Sequence, residues 1–465
     1  MKGGATRSQP HPFTTIKPFP SPPAPLLHVC PQRLWGSGEH PQPSGPLLSP
    51  PKETLFRQEA GGGVTYRIPA LLHVPPATFL AFAEKRSSAR DEDAEYLVLR
   101  RGLRRGQEVE WGPVEELSGL VLPGRRTMNP CPVFEASSGV VFLFCICVER
   151  RVTERHQILA GRSAARLCCS TSRDRGRSWS ALRDLTDEAI GADLPHWATF
   201  AVGPGHGVQL ASGRLAVPAY AYYVHWRLCG VPLPCWTRPH SFIFYSDDSG
   251  RSWSKGSLLR GMETGECQVA EIGCGDQGTV LYCSARTSCR CRAVALSTDR
   301  GLRFGLPARC PALCEPLQGC QGSVVSFEAP DGAENTQHWL LYSHPTDRWH
   351  RRDLGIYVNT APPDEAGWRH PWVLQEGPCG YSDLAACPKG VFGCLFECGA
   401  TSACEEIAFC LFALSTDGGA DAPCHGDGPV LEVLSPRDGN DGETSKEVFM
   451  GMTPQEEKRG LVDFN

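Results

Sequence analysis

The stretch STSRDRGRSW, residues 170–179, follows an apolar run and places Ser172, Asp174, Gly176 and Trp179 at fixed intervals. The same intervals return in YSDDSGRSW, residues 245–253, and in LSTDRGLRF, residues 296–304. Their equivalents are Ser246, Asp248, Gly250 and Trp253, then Ser297, Asp299, Gly301 and Phe304. The pattern S-x-D-x-G-x-x-aromatic is a hairpin-turn signature. The Asp side chain bonds nearby backbone amides, the Gly takes a positive φ, and the aromatic packs back between strands. One copy carries little weight. Three copies spaced by about 50 to 75 residues predict repeated four-stranded units. Such turns stabilise a fold and do no chemistry.

The segments around these turns read as strands. TFLAFAEK, YLVLRRG, VVFLFCICV, RLAVPAYAYY, SFIFYSDD, TVLYCSA, HWLLYSHP and GCLFECG are short apolar runs bounded by turn residues. Helical periodicity is scarce; Leu185 to Ile190 allows one short helix. Residues 1–52 hold 13 of the 40 prolines and cannot bury enough apolar surface to offset their ordering entropy. They are expected to be disordered, as is the acidic, turn-rich tail 417–465. Residues 53–416 form the folded region between them.

Composition narrows the function. A net charge of −5 over 465 residues offers no basic stripe, which argues against nucleic acid as a partner. The 23 cysteines come without an evident secretory leader or an Asn-x-Ser/Thr acceptor, so they read as reduced thiols, many of them buried. Cys145/Cys147 and Cys289/Cys291 are C-x-C pairs with no histidine pair at finger spacing, so no zinc site is expected. The longest apolar run, Val140 to Val148, is about half the length of a membrane-spanning helix. Any membrane association is therefore expected to be peripheral. One residue resists a purely structural reading: Arg67 lies inside YRIPALL, residues 66–72. Burying an unpaired guanidinium costs several kcal/mol, on the order of a buried ion's desolvation. A side chain or a ligand must answer it.

Taken together, the motifs resemble the sialidase family. The three repeats look like its Asp-boxes and YRIPALL like its opening arginine motif. FAEKR, RDEDAEYLVLRRG, RTMNPCP, VTERHQI, HWATFAVGPGHG, ECQVAE, CSART and GYSDLA match vertebrate members in order across about residues 55–414. LCEPLQGCQGSVVSF and CGYSDLAACPKGVFGCLFECG look most like the plasma-membrane-associated, ganglioside-cleaving members. The resemblance implies an all-β fold, a six-bladed β-propeller of four-stranded antiparallel blades with Asp-box turns. It also implies an exo-α-sialidase acting on sialylated glycolipids or glycoproteins, peripheral at the plasma membrane.

The site residues follow motif by motif. A sialic acid carries an ionised carboxylate, which suits planar, bidentate arginine. The family's three arginines correspond to Arg67, Arg286 in CSART and Arg351 in WHRRDLG, with Arg352 as a competitor for the third place. Sialidases use a Tyr nucleophile, where a carboxylate would be repelled by the substrate's own. The resemblance makes Tyr381 that nucleophile, Glu266 its base, with Glu271 a nearby decoy, and Asp91 the acid/base. It places Glu84 beside Arg67 or Arg351 and Arg86 toward the substrate carboxylate. Glu154, Tyr220 and Tyr222 fall on the N-acetyl and glycerol side. No metal or cofactor is implied. The rival readings are a non-catalytic sialoglycan-binding propeller, a soluble-glycoprotein sialidase and a trans-sialidase.

Overall fold

In a computed structural model, the structure describes residues 52–415, except 234–235, 274–277 and 330–337, and residues 430–434. Nearly all of the proline-rich segment and most of the acidic tail lie outside the described residues.

Four-stranded antiparallel groups follow one another along the chain in a β-propeller-like arrangement. The first is Thr65–Val74, Thr78–Arg86, Ala94–Arg105 and Glu108–Trp111; the second is Arg125–Glu135, Val140–Glu149, Ala165–Ser172 and Arg183–Asp184. Trp197–Val202, Leu215–Val224, Thr237–Ser246 and Ser254–Lys255 form the third, and Cys267–Gly273, Thr279–Ala285, Cys291–Ser297 and Ala308–Cys314 the fourth. Small strands Glu115–Glu116 and Val208–Gln209 add to the first and third. Apart from the two-stranded hairpin Arg227–Leu228 and Val231–Pro232, the remaining strands share one eight-stranded sheet, because the 16-residue strand Trp372–Cys387 serves two neighbours. Residues up to Pro378 pair with Arg352–Asn359, and residues from Cys379 pair with Val391–Cys398. Glu53–Arg57 then pairs with Glu406–Ser415, joining the start of the described chain to its last long strand. The expected end at 416 misses one strand: Val430–Val433 adds to Glu406–Ser415. The short VLEV run is masked in the sequence by its acidic surroundings.

The strand VVFLFCICV explains how the groups pack. Val140, Phe142, Phe144, Ile146 and Val148 enter one core cluster, while Val141, Leu143, Cys145 and Cys147 enter another. Period-two alternation thus survives with both faces apolar, because each face meets a neighbouring sheet. The described cysteines follow suit: all 19 are free and 15 are buried.

The three repeated turns have one geometry. Ser172, Ser246 and Ser297 Oγ each donate to the Asp two residues on (Asp174, Asp248 and Asp299) at 2.8 Å and accept from Gly176, Gly250 and Gly301 N at 2.8 Å. Asp Oδ1 accepts a backbone N–H four residues on, at 2.8–2.9 Å. Bonds from Ser178 and Ser252 hold the Asp174 and Asp248 carboxyls down at about 2. The aromatics pack farther away than between their own strands. Trp179 meets Phe82 of the first group, and Trp253 meets Phe142 and Phe144 of the second. The turns therefore fasten each sheet to the one before it. Glycine is needed twice over: Gly250 has φ +83°, and a Cβ there would lie 2.1 Å from the Phe142 ring. Gly250→Ala is therefore expected to lose about 2–4 kcal/mol, from left-handed backbone and overpacking together. Gly106→Ala, at φ +66° with open space around it, should lose only about 1 kcal/mol. Thermal unfolding of both variants checks this; equal midpoints would remove the inter-sheet clash.

Candidate active site

Bulges aim the site. On Thr65–Val74 the pairing slips between Arg67 and Ala70, where Ile68 takes φ 60°, a strained value for a β-branched residue. A matching slip lies between Met128 and Cys131, with Asn129 at φ 55°, and a third lies between Cys379 and Ser382, around Tyr381. Each bulge turns side chains out of the ladder toward the same cavity.

Arg67 is answered by Glu397, a residue to which the site's sequence motifs assign no role. Its Nε and Nη2 donate to Glu397 Oε1 and Oε2 at 2.9 and 3.1 Å, a bidentate pair. The same carboxylate accepts Ile68 N at 2.9 Å and Tyr381 N at 3.0 Å. Glu84, expected beside Arg67 or Arg351, instead accepts Arg86 Nε at 2.9 Å and Asn129 N at 2.7 Å. The reason is register: Arg67 pairs with Glu84 across the backbone, but the bulge carries the guanidinium toward Glu397.

Tyr381 is 7 % exposed, and its hydroxyl donates a hydrogen bond to Glu266 Oε1. Arg286 Nη1 joins the two, donating to Glu266 Oε2 at 2.7 Å and to Tyr381 Oη at 3.2 Å. Burial, then the Glu266 charge, pushes the Tyr381 phenol well above its usual range despite Arg286 and Arg351. The guanidiniums of Arg67 and Arg351 lie 5.6 and 5.4 Å from the Tyr381 ring centre.

A buried ion cluster fixes the loop behind these arginines. Arg286 Nη2 donates to Gln318 O at 2.6 Å and Arg351 Nη2 to Gly319 O at 3.1 Å. Glu315 anchors the loop by accepting Cys320 N at 2.8 Å and Arg292 Nη1 at 2.9 Å, while Arg292 also donates to Cys320 O. His344 Nε2 lies 3.2 Å from Glu315, and the Arg292, Glu315 and His344 side chains are all fully buried.

Asp91 opens a short 3-10 turn just beyond Thr78–Arg86. Its side chain is 70 % exposed and accepts Arg86 Nη1 at 2.6 Å. Partial enclosure pushes its carboxyl up, but Arg86 outweighs that and holds it below the usual range. Glu154 begins the helix Glu154–Ala160, capped by Thr153 Oγ1 accepting His156 N and by Gly161 at φ +57°. Thr153 and Gly161 are the cap residues that signal this helix in the sequence, beyond the one expected at Leu185 to Ile190. Glu154 accepts Tyr220 Oη at 3.3 Å, and enclosure, with Glu266 and Asp91 near it, pushes its carboxyl up to about 7.

One cavity of about 550 Å³ collects Arg67, Arg86, Asp91, Glu154, Tyr220, Tyr222, Glu266, Arg286, Arg351 and Tyr381. Glu84 stands behind it under Arg86. Arg352 faces a different depression, with Lys52 and Glu376, and Glu271 bonds Ala211 N and Thr279 Oγ1 instead. Met128, Asn129 and Arg126 also line the cavity. RTMNPCP marked that stretch as a motif without assigning those roles.

A β-propeller-like fold with clustered arginines around a phenol–carboxylate pair has the attributes of a glycoside hydrolase acting on sialic acid. A BNR repeat-like domain matches residues 77–394. Sialidase-3 of Homo sapiens is 58% identical over 391 residues, covering 77% of this chain and 91% of the relative. Sialidase-4 of Mus musculus is 42% identical over 480 residues, covering 85% and 98%. The solved Hadza microbial sialidase Hz136 shares the fold at a TM-score of 0.63 and 22% identity, over 77% of this chain and 68% of that one. The chain belongs to the sialidase family.

Glu397→Ala would leave the Arg67 charge unpaired at 15 % exposure. A loss of about 3–5 kcal/mol is expected, with Glu397→Gln losing less. Denaturant unfolding measures both, and an Ala variant as stable as the parent would deny Glu397 this role.

Proposed function

We propose that the protein hydrolyses terminal α-linked sialic acid with retention of configuration, through a tyrosyl-enzyme intermediate. Its fold is read as a six-bladed propeller whose three turns are Asp-boxes, with the eight-stranded sheet counted as two blades that share Trp372–Cys387. Gangliosides at the plasma membrane are its proposed substrates, a reading supported by the sequence resemblance and by the likeness to Sialidase-3.

The observation that carries the catalytic reading is the Tyr381–Glu266 hydrogen bond bridged by Arg286. A binding propeller needs arginines but has no use for a phenol paired with a base. Arg67, Arg286 and Arg351 hold the substrate carboxylate; Arg86 flanks it, and Glu154, Tyr220 and Tyr222 line the far side. Tyr381 Oη attacks the anomeric carbon while Glu266 takes the phenolic proton. Asp91 gives its proton to the glycosidic oxygen as that bond breaks. Water then attacks the same carbon, Asp91 takes the water's proton, and the phenolate leaves and recovers its proton from Glu266. The raised phenol pKa explains why a base is required: no phenolate stands ready at neutral pH.

Tyr381→Phe should lower turnover by about a thousandfold or more while leaving the affinity for a carboxylate-bearing transition-state analogue nearly intact. Wild-type turnover would remove Tyr381 from the chemistry. Arg286→Lys should cost about 2–5 kcal/mol in kcat/KM, because the bidentate fork is lost. An unchanged kcat/KM would place Arg286 outside substrate contact.

The pH profile follows from two groups. Asp91 must be protonated to act, and Arg86 holds its carboxyl below the usual range, so the rate should keep rising as pH falls through the acidic range. Glu154 is neutral below about 7 and ionised above it, adding a negative charge to a pocket that admits an anion. A fall in kcat/KM for a fluorogenic sialoside is therefore expected as pH rises through about 7, and Glu154→Gln should abolish that inflection. An inflection that persists in the variant belongs to another group.

A further inference from the structure

The backbone between Leu215–Val224, which carries Tyr220 and Tyr222, and Thr237–Ser246 runs out into a small separate hairpin, Arg227–Leu228 paired with Val231–Pro232. The ladder continues below it through Leu233 N to Trp226 O at 3.1 Å and His225 N to Trp236 O at 3.0 Å. Its side chains break the usual rule for exposed residues. Trp226 is 63% exposed, Leu228 65%, Val231 63% and Trp236 49%, on one projection. A cluster of that kind marks an interaction surface.

Its position ties it to the pocket. Tyr222, Thr237 and Pro239 line the cavity and lie on the two strands that feed the hairpin. Arg227 Nη2 donates to Gly161 O at 3.1 Å and Pro195 O at 2.9 Å, so the hairpin rests on the end of the helix that carries Glu154. Its surroundings are basic in a protein whose net charge is −5. Arg162 and Arg227 are exposed at that contact, and Arg238 and Arg260 stand near His225 at the hairpin's base. Arg238 pairs with Glu263, among the described residues the one carboxylate bonded to these arginines.

We propose that this hairpin docks on an anionic lipid bilayer, with the Trp226, Leu228, Val231 and Trp236 side chains in the interfacial layer and the arginines on the headgroups. Aromatic and aliphatic groups with basic flanks are the chemistry of interfacial binding. The pocket mouth then faces sugars carried by lipids of the same bilayer, an argument that rests on the sialidase reading above.

The test uses the full chain and vesicles of phosphatidylcholine with about one-fifth phosphatidylserine. Leu228→Ser with Val231→Ser, at the exposed tip, should reduce co-sedimentation by about fivefold or more and reduce cleavage of a vesicle-borne sialylated lipid similarly. Cleavage of a soluble fluorogenic sialoside should be unchanged in the same variant, which also reports that it folds. Equal sedimentation of parent and variant overturns the proposal. So does a parent that ignores vesicles yet loses a dimer on substitution, since a second copy would then cover the patch. A parent that sediments through the hairpin but cleaves no sialoside overturns the sialidase reading and leaves the docking surface standing.

Discussion

The carboxylate of Glu397 is the tie on which the site depends. It is 1 % exposed and accepts four N–H groups: two from Arg67, one from Ile68 and one from Tyr381. Burial alone would push it toward the neutral acid. The Arg67 charge and the backbone donors outweigh that and hold it below its usual range, so it stays ionised. Two of its partners sit in bulges, on Thr65–Val74 and Trp372–Cys387, at opposite ends of the described chain. One buried anion thus closes the seam of the fold and, in the same act, sets an arginine beside a tyrosine. Strain at Ile68 is tolerated because these bonds over-determine its position.

That arrangement decides what could be read from the chain alone. The repeated turns were legible because their logic is local: a serine, an aspartate and a glycine within five residues complete one another. Arg67 stood out for the opposite reason, as a charge in an apolar strand that had to be answered. Its partner did not stand out. Glu397 sits in GCLFECG, where alternation predicts one face toward solvent and a glutamate there attracts no notice. Only the register of distant strands shows that the face is covered. Glu315 and Arg292 were hidden likewise, since burial of charge is a tertiary fact. The strand Trp372–Cys387 reads as an apolar–polar mixture because its halves face different neighbours.

The charges follow a common plan with one exception. Arg67 is matched by Glu397, Arg86 by Glu84 and Asp91, and Arg286 by Glu266, each at 2.5–2.9 Å. Donors held this way are already oriented when an anion arrives, and little is spent on reorganisation. Arg351 differs: among the described residues its side chain donates only to the Gly319 carbonyl. It is therefore the guanidinium of the trio whose charge is least compensated by its neighbours. A neutral oxygen can hold its geometry without cancelling its field.

The Gly319 carbonyl is itself fixed from below. Cys320 N binds Glu315, Arg292 binds Cys320 O, and Ile68, Cys320 and Tyr381 pack into one small cluster. The fully buried Arg292–Glu315 pair thus acts on the pocket through the loop backbone, without contacting the cavity. A buried ion pair adds little net stability compared with apolar packing of the same volume. What it supplies here is direction: it points two carbonyls at two arginines that would otherwise repel each other across the phenol. The positive field at the centre of the site therefore depends on a charge pair that lies outside it.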